Sequence, residues 1–342
     1  MAFKNTTRWT LSNVLPVLFV LLVIAAIWSS YVWLHLLRLL QLGMKEVDEG
    51  MRTSGMVQTV LSQTMVVLMM ICFWRAVFTD PGSVPDTEEW LPETRRQSPA
   101  TGQAQATRRY EVKQKGGQRR FCQKCVKYKP DRCHHCRVCN SCILRMDHHC
   151  PWIANCVGFR NHKYFFLLVF YAALSCWFII ATMSTSLIRA GEDEMDPTSR
   201  FALVFGMTLA VIMGTLLGGF FVFHSWLATL ALTTIEFCEK TGPHSSRAVS
   251  YDQGLFENLR AVLGPHVILW LLPLSPPSGD GLAFFAQVQG GTKDAAEDVR
   301  ETAPLLEGFA AAGEEGEVNS EAKQGSEPGS APEVTGANAA AV

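Results

Sequence analysis

The chain has 342 residues, with 30 Lys and Arg against 31 Asp and Glu, a formal net charge of −1. Near-neutral charge excludes a globally basic nucleic-acid binder, and eleven cysteines are too few for a disulfide scaffold of this length. The apolar residues, 48% of the total, come in blocks, and eight of the eleven cysteines lie between Cys122 and Cys156 beside four histidines, a clustering that reads as metal binding.

Residues 14–33 form one apolar run of 20 residues, long enough to cross ~30 Å of hydrocarbon as a helix. No small-residue cleavage pattern follows it closely, so it reads as a signal anchor and not a cleaved leader. Residues 57–78 form a second, weaker span carrying Gln58, Ser62, Gln63 and Thr64. Residues 83–118 are a polar linker with Pro85, Pro92 and Pro99. Residues 164–188 are a third span, entered through Tyr164-Phe165-Phe166, and residues 201–232 a fourth, longer than one crossing needs. In the fourth, Gly214-x-x-x-Gly218 would let a neighbouring helix approach closely, unless it is a chance match in a Gly-rich helix. His224 and Trp226 lie near that span's end, where interface anchoring is the expected role.

Charge sets the orientation. Residues 79–163 hold sixteen Lys and Arg, while the loops near 41–56 and 189–200 hold two each. The positive-inside rule puts 79–163, and with four spans both termini, in the cytosol. A reducing compartment suits unpaired thiols and thiolate ligands. Residues 292–342 carry eleven acids and three bases and should be disordered; within them Glu301 and Leu305-Leu306 have acidic-dileucine sorting spacing, a pattern frequent by chance.

The centre of the chain is a repeat of fourteen residues. Cys122-x2-Cys125-x9-His135-x6-Cys142 recurs as Cys136-x2-Cys139-x9-His149-x6-Cys156. Each set offers three thiolates and one imidazole, the donors of a closed structural zinc site, and the two interleave. The segment is too short and polar for a core of its own, so metal would supply much of its folding free energy. Cys133, His134, His148 and Cys150 remain over. Cys150 continues the series Cys122, Cys136, but Ile153 stands where a second thiol would be needed. A thiol fixed between ligands and not itself bound is a candidate nucleophile. His148 is then the candidate base and Asp147 the group that orients it. Two alternatives stay open: His148 and His149 exchanging roles, and Cys150 as the ligand with Cys156 spare; the repeat register argues against the second. Cys133 reads as passive, Cys72 and Cys176 as buried, and Cys238 as a thiol just past the fourth span that lipid could modify.

The block RFCQKCVKYKPDRCHHCRVCNSCILRMDHHCPWIANCVGFRNHKYFF, residues 120–166, resembles the Asp-His-His-Cys cysteine-rich domain of the DHHC protein S-acyltransferases, or palmitoyltransferases. Asp80-Pro81-Gly82 resembles the family's DPG motif, Thr233-Thr234-Ile235-Glu236 its TTxE motif, and residues 251–264 its C-terminal motif, with Asn258 at its asparagine. The match covers about 80–270; the linker, tail and loops have no counterpart.

The resemblance implies an all-α polytopic membrane protein, with four transmembrane helices and a cytosolic cysteine-rich domain folded around two structural zinc ions. Its divisions would be an N-terminus with two spans at 1–78, a linker at 79–119, the zinc domain at 120–163, two spans at 164–232, a cytosolic motif region at 233–290 and a tail at 291–342. It implies a two-step transfer, from a long-chain acyl-CoA such as palmitoyl-CoA to Cys150, then to thiols of cytosolic or membrane proteins with juxtamembrane cysteines. His148 would be the base, Asp147 its orienter and the eight residues above the zinc ligands. Arg120, Lys129 and Arg132 would meet the CoA phosphates, or else form a basic face for anionic lipid. Thr234 would contact the catalytic carboxylate, and Asn258 would satisfy backbone groups. The partners implied are membrane lipid, acyl-CoA and protein substrates, with no nucleic acid, in an endomembrane such as the Golgi.

Trp28-Ser29-Ser30 and Ser175 are expected to line the far end of an acyl cavity. Two other classes of function compete. One is a membrane-anchored zinc adaptor without catalysis; the other is metal handling, which closed Cys3His sites disfavour. The uncoordinated thiol beside His148 and Asp147 favours the transferase.

Overall fold

The computed structural model describes residues 10–92, 119–192, 195–241, 249–274, 277–285 and 287–288. Most of the linker, the acidic tail and its dileucine motif lie outside the described residues. Among the described residues, four helices are long and apolar enough to cross a membrane, which meets the four-span expectation. Helix α1 (Leu11–Tyr31) runs on through a π turn, Val32–Leu36, and a last α turn, Leu37–Leu40. Its outer face exposes Leu15, Leu18, Phe19 and Leu22, as a helix apolar all round does when lipid is its solvent. Helix α2 is Glu49–Phe78, α3 His162–Glu192 and α4 Pro197–Thr229. Helix α3 is central, packing against both α2 and α4.

Every span runs past its hydropathy bounds on at least one side, and two of the differing boundaries have clear local reasons. Helix α2 begins eight residues before position 57, because Asp48 caps it, its carboxylate accepting from the Gly50 and Met51 amides. Helix α4 ends at Thr229 and not at 232. Ala231 turns left-handed at φ 53°, and the Leu230 and Leu232 amides both donate to the Leu227 carbonyl, closing the helix's orphan carbonyls.

Gln58 and Gln63 of the second span pair with the first helix, while Ser62 and the exposed Thr64 bond to their own helix backbone. His35, fully buried in the π turn, has Nδ1 2.7 Å from Ser186 Oγ and Nε2 2.7 Å from Gln58 Oε1. Trp28 donates to Gln63 Oε1 at 3.2 Å. The cost of polar groups in hydrocarbon is thereby met across three helices. The small residues of α4 face the bundle: a Cβ on Gly214 would lie 3.1 Å from Cys176 Cβ, and one on Gly218 3.3 Å from Trp177 Nε1.

Among the described residues between α2 and α3 the chain forms three antiparallel hairpins: β1 (Phe121–Cys122) with β2 (Lys127–Tyr128), β3 (His134–Cys136) with β4 (Ser141–Ile143), and β5 (His148–Cys150) with β6 (Asn155–Val157). Their registers repeat at fourteen residues, with Phe121 opposite Tyr128, His135 opposite Cys142 and His149 opposite Cys156. The turns repeat as well, with left-handed residues at Val126, Asn140 and Ala154. The repeat therefore has three units. An aromatic pair replaces the His/Cys pair in the first, and Ile153 replaces the second thiol in the third.

Side chains and backbone weld this domain to the bundle. Asn155 Nδ2 donates to the Ala76, Val77 and Thr79 carbonyls, the orphan acceptors at the end of α2. After α2, Gly82, at φ +95°, accepts from the Leu144 amide, and Pro81 accepts from the Arg160 amide. Gly158 closes this seam, since a Cβ there would lie 2.7 Å from Ile143 Cγ2 and 2.8 Å from the Pro81 oxygen.

Beyond α4 come α5 (Thr234–Thr241), β7 (Val249–Ser250), α6 (Leu255–Leu263) and β8 (Gln287–Val288), which pairs with β7. Residues 267–274 are hooked onto the bundle through their carbonyls, by Lys163 to Leu269 (2.8 Å), Tyr171 to Leu271 (2.6 Å) and Arg75 to Pro273. Their side chains Val267, Ile268, Leu271 and Leu274 are exposed, a face suited to a membrane interface.

Candidate active site and metal centres

The repeated hairpins explain how the ligand sets assemble. Each Cys-x-x-Cys turn of one unit faces the His/Cys pair of the next. Cys122, Cys125, His135 and Cys142 converge, as do Cys136, Cys139, His149 and Cys156, with the ligand atoms of each set within 4.8 Å of one another. In the first set the His135 Nδ1 to sulfur distances are 3.6, 3.2 and 3.9 Å. In the second, His149 Nδ1 lies 3.7, 3.5 and 3.5 Å from the sulfurs, and the Cys139 and Cys156 sulfurs are 3.5 Å apart. A tetrahedral ion with Zn–S of about 2.3 Å and Zn–N of about 2.0–2.1 Å requires edges of roughly 3.6–3.8 Å. The second set lies within about 0.3 Å of these edges; in the first, the 3.2 Å contact from His135 to Cys125 must lengthen by a few tenths of an ångström to admit such an ion.

Cys150 belongs to neither set. It starts the third Cys-x-x-Cys slot, whose next hairpin the chain replaces with α3. The thiol is buried among Val17, Phe73, Ile153, Tyr164 and Phe165, at one end of an apolar cavity of about 690 Å³ between the spans. Along α3 the cavity wall runs from Phe165 to Ile179, roughly 21 Å at 1.5 Å per residue.

His148 stands beside the thiol with its roles divided. Nδ1 is 2.7 Å from Asp147 Oδ2; a carboxylate only accepts, so Nδ1 carries a proton and Nε2 is left for the Cys150 thiol, its other hydrogen-bond partner. Burial pushes the His148 imidazole down, but the hydrogen bonds to Asp147 and Cys150 outweigh it and bring it up to about 9. Burial works against the Asp147 charge too, and the His148 hydrogen bond keeps its carboxyl well below the usual carboxylate range. Thr234, at the start of α5, holds that carboxylate twice, from its amide to Oδ1 (2.9 Å) and from its hydroxyl to Oδ2 (2.8 Å). Asn258 Nδ2 donates to the Thr229 carbonyl at 2.7 Å and to Asp252 Oδ1 at 2.6 Å.

Several residues lie elsewhere than the sequence suggested. His224 is buried and not an interface anchor: its ring is 5.9 Å from that of His148, and its ligand atoms, with those of His162, are within 4.8 Å of Asp147's. No sequence signal gave this away, because the approach depends on how α3 and α4 cross. Ser175 and Trp28 line the cavity, but Ser29 and Ser30 do not. Their hydroxyls donate to the Ala26 and Ile27 carbonyls, and Ser30 packs against Gly206 of α4. Arg132 is not a free cation: its guanidinium is buried against Glu236 at 2.7 Å, donates to the Ala231 carbonyl and stacks on Tyr251. Arg120 donates to the Pro130 and Cys133 carbonyls, and Lys129 is partly exposed. Arg145, which the sequence did not single out, is buried beside Arg132.

The DHHC palmitoyltransferase family model matches residues 115–241. The chain is similar to Palmitoyltransferase ZDHHC2 of Danio rerio, 31% identical over 293 residues that cover 81% of this chain and 77% of that protein. It is similar to Palmitoyltransferase ZDHHC15 of Homo sapiens, 31% identical over 79% of this chain and 81% of the other. It is also similar to Probable protein S-acyltransferase 16 of Arabidopsis thaliana, 37% identical over 64% of this chain and 77% of the other. A cysteine-rich domain with two Cys3His clusters, set among four apolar helices and matched along most of its length by these proteins, belongs to the DHHC palmitoyltransferase family.

Proposed function

We propose that this integral membrane protein is a protein-cysteine S-acyltransferase that carries a long-chain acyl group on Cys150. One observation carries the assignment of the thiol: the repeat delivers three first-position cysteines, two of which join metal clusters, while Cys150 faces the apolar cavity beside His148. In the first step His148 Nε2 takes the Cys150 proton. The sulfur attacks the acyl-CoA carbonyl, the bond from Cys150 to the acyl carbon forms, and the bond to CoA sulfur breaks. The CoA thiolate leaves with the proton from His148. In the second step a substrate thiol gives its proton to His148 and attacks the acyl carbon, and Cys150 leaves and recovers the proton. Asp147 holds the tautomer and supports the imidazolium.

The cavity suits the acyl chain, each buried methylene contributing about 0.8 kcal/mol. Two zinc ions would occupy the clusters and hold the hairpins in register, so that Cys150 and His148 stay aligned; their role is structural. Arg120 and Lys129 would meet CoA phosphates outside the bilayer, and Arg132 would brace the domain through Glu236. The excess of basic residues at 79–163 supports a cytosolic zinc domain and cytosolic termini, with protein substrates presenting cysteines at that membrane surface.

The test is acyl-CoA labelling of the purified protein. A hydroxylamine-sensitive adduct on wild type and none on Cys150→Ser supports the reading. An equal adduct on Cys150→Ser refutes it and leaves a zinc adaptor as the alternative.

A further inference from the structure

A second cavity, of about 260 Å³, shares no lining residue with the acyl cavity. It lies between the hairpin loops carrying Arg132 and Arg145, helix α6 and residues 278–285. Three arginines line it. Arg132 is neutralised by Glu236 at 2.7 Å, and Arg260, at the rim, by Glu257 at 3.3 Å. Arg145 is 3% exposed and has no carboxylate in contact among the described residues. It makes one hydrogen bond, from a terminal nitrogen to the Ala261 carbonyl at 3.1 Å, and its buried Nε has no partner. A guanidinium offers five N–H donors, and a buried cation without an anion is costly. Burial, with the Arg132 charge beside it, draws Arg145 down to about 9 against the opposing pull of Glu236 and Asp147; neither carboxylate pairs with it, Glu236 being taken by Arg132 and Asp147 by His148 and Thr234.

The shape of the void indicates what supplies an anion for Arg145. A planar guanidinium matches phosphate oxygens two at a time. Ser278 adds a hydroxyl, and Tyr251 and Phe284 give an aromatic wall for an organic substituent. We infer that this cavity binds a phosphate monoester, with Arg145 as its buried anchor and Arg260 at its entrance. The same group could come from the 3′-phosphate of CoA, a source that rests on the proposed function, from a phosphoinositide headgroup, or from free phosphate. Glu236, the partner of Arg132, stands two residues from Thr234, which holds Asp147, so the occupant lies against the wall that positions the catalytic carboxylate.

The experiment uses the full-length, zinc-loaded protein in phosphatidylcholine nanodiscs. Binding of CoA, 3′-dephospho-CoA and inorganic phosphate is measured by calorimetry. Binding of a water-soluble phosphoinositide headgroup is measured alongside. The inference requires that a phosphate-bearing probe binds wild type, that Arg145→Met weakens it at least tenfold, and that Arg260→Gln weakens it several-fold. The probe that responds identifies the source; for CoA, the 3′-dephospho form must bind wild type as weakly as CoA binds Arg145→Met. No phosphate probe binding wild type overturns the inference, as does equal affinity in Arg145→Met. Should Arg145→Met lose its zinc or fail to fold, unchanged affinity in Arg260→Gln overturns it. The Cys150 adduct is followed in the same samples. An adduct without phosphate binding removes this site and leaves the transferase, and phosphate binding without an adduct does the reverse.

Discussion

At the residue scale, Thr234 holds Asp147, Asp147 pairs with His148 and His148 stands beside Cys150, and the proposed mechanism gives each a separate task. His148→Ala removes the proton acceptor and should slow formation of the acyl adduct by about 10²–10⁴-fold, measured by rapid-quench labelling with zinc content unchanged. Thr234→Val removes one of the two donors from Thr234 to Asp147. A hydrogen bond to a charged group contributes about 1.5–3 kcal/mol, so a loss of roughly ten- to a hundredfold in the same assay is expected, and an unchanged rate would remove Thr234 from the mechanism. Ser175 is buried in the cavity wall with an unpartnered Oγ. Ser175→Tyr should fill that part of the cavity and shift competition among acyl-CoAs toward shorter chains; an unchanged chain-length profile would refute it.

At the element scale, the fold depends on short seams between hairpins and helices. The Arg132–Glu236 pair ties the zinc domain to α5 in a buried setting, where both side chains are nearly inaccessible. Removing one partner strands a buried charge and costs about 3–5 kcal/mol, whereas replacing both with apolar residues costs much less. Thermal unfolding should therefore show Arg132→Met well below wild type, with Arg132→Met/Glu236→Leu recovering most of the loss; no recovery would mean that the pair does not act as a unit. Asn155 shows why such seams are hard to read in advance. Its amide closes the end of α2 from about 76 residues away in sequence, and nothing in its neighbourhood announces that partner.

At the scale of the whole molecule, much of the architecture was legible because its causes are local. Apolar runs require long helices, and a fourteen-residue spacing of thiols and imidazoles requires linked ligand sets. The repeat even located the surplus thiol. What stayed hidden depends on contacts between segments far apart in sequence: His224 reaching Asp147, Ser30 turning to Gly206 and Arg132 pairing with Glu236. The helix ends at Asp48 and Ala231 were missed because a capping carboxylate and a left-handed turn outweighed the hydropathy boundary. On the proposal that zinc closes both clusters, a strong chelator should unfold the hairpins and abolish the Cys150 adduct together, with no covalent change; retained acylation in zinc-free protein would deny the ions their structural role.

The most direct test of the account is native mass spectrometry of the full-length protein after reaction with palmitoyl-CoA, followed by mapping of the modified peptide. The account predicts one species carrying two zinc ions and one acyl chain on Cys150 at the same time. An acyl-protein that has lost a zinc ion, or a chain mapped to Cys156, would mean that the acylated sulfur was a metal ligand and would contradict it.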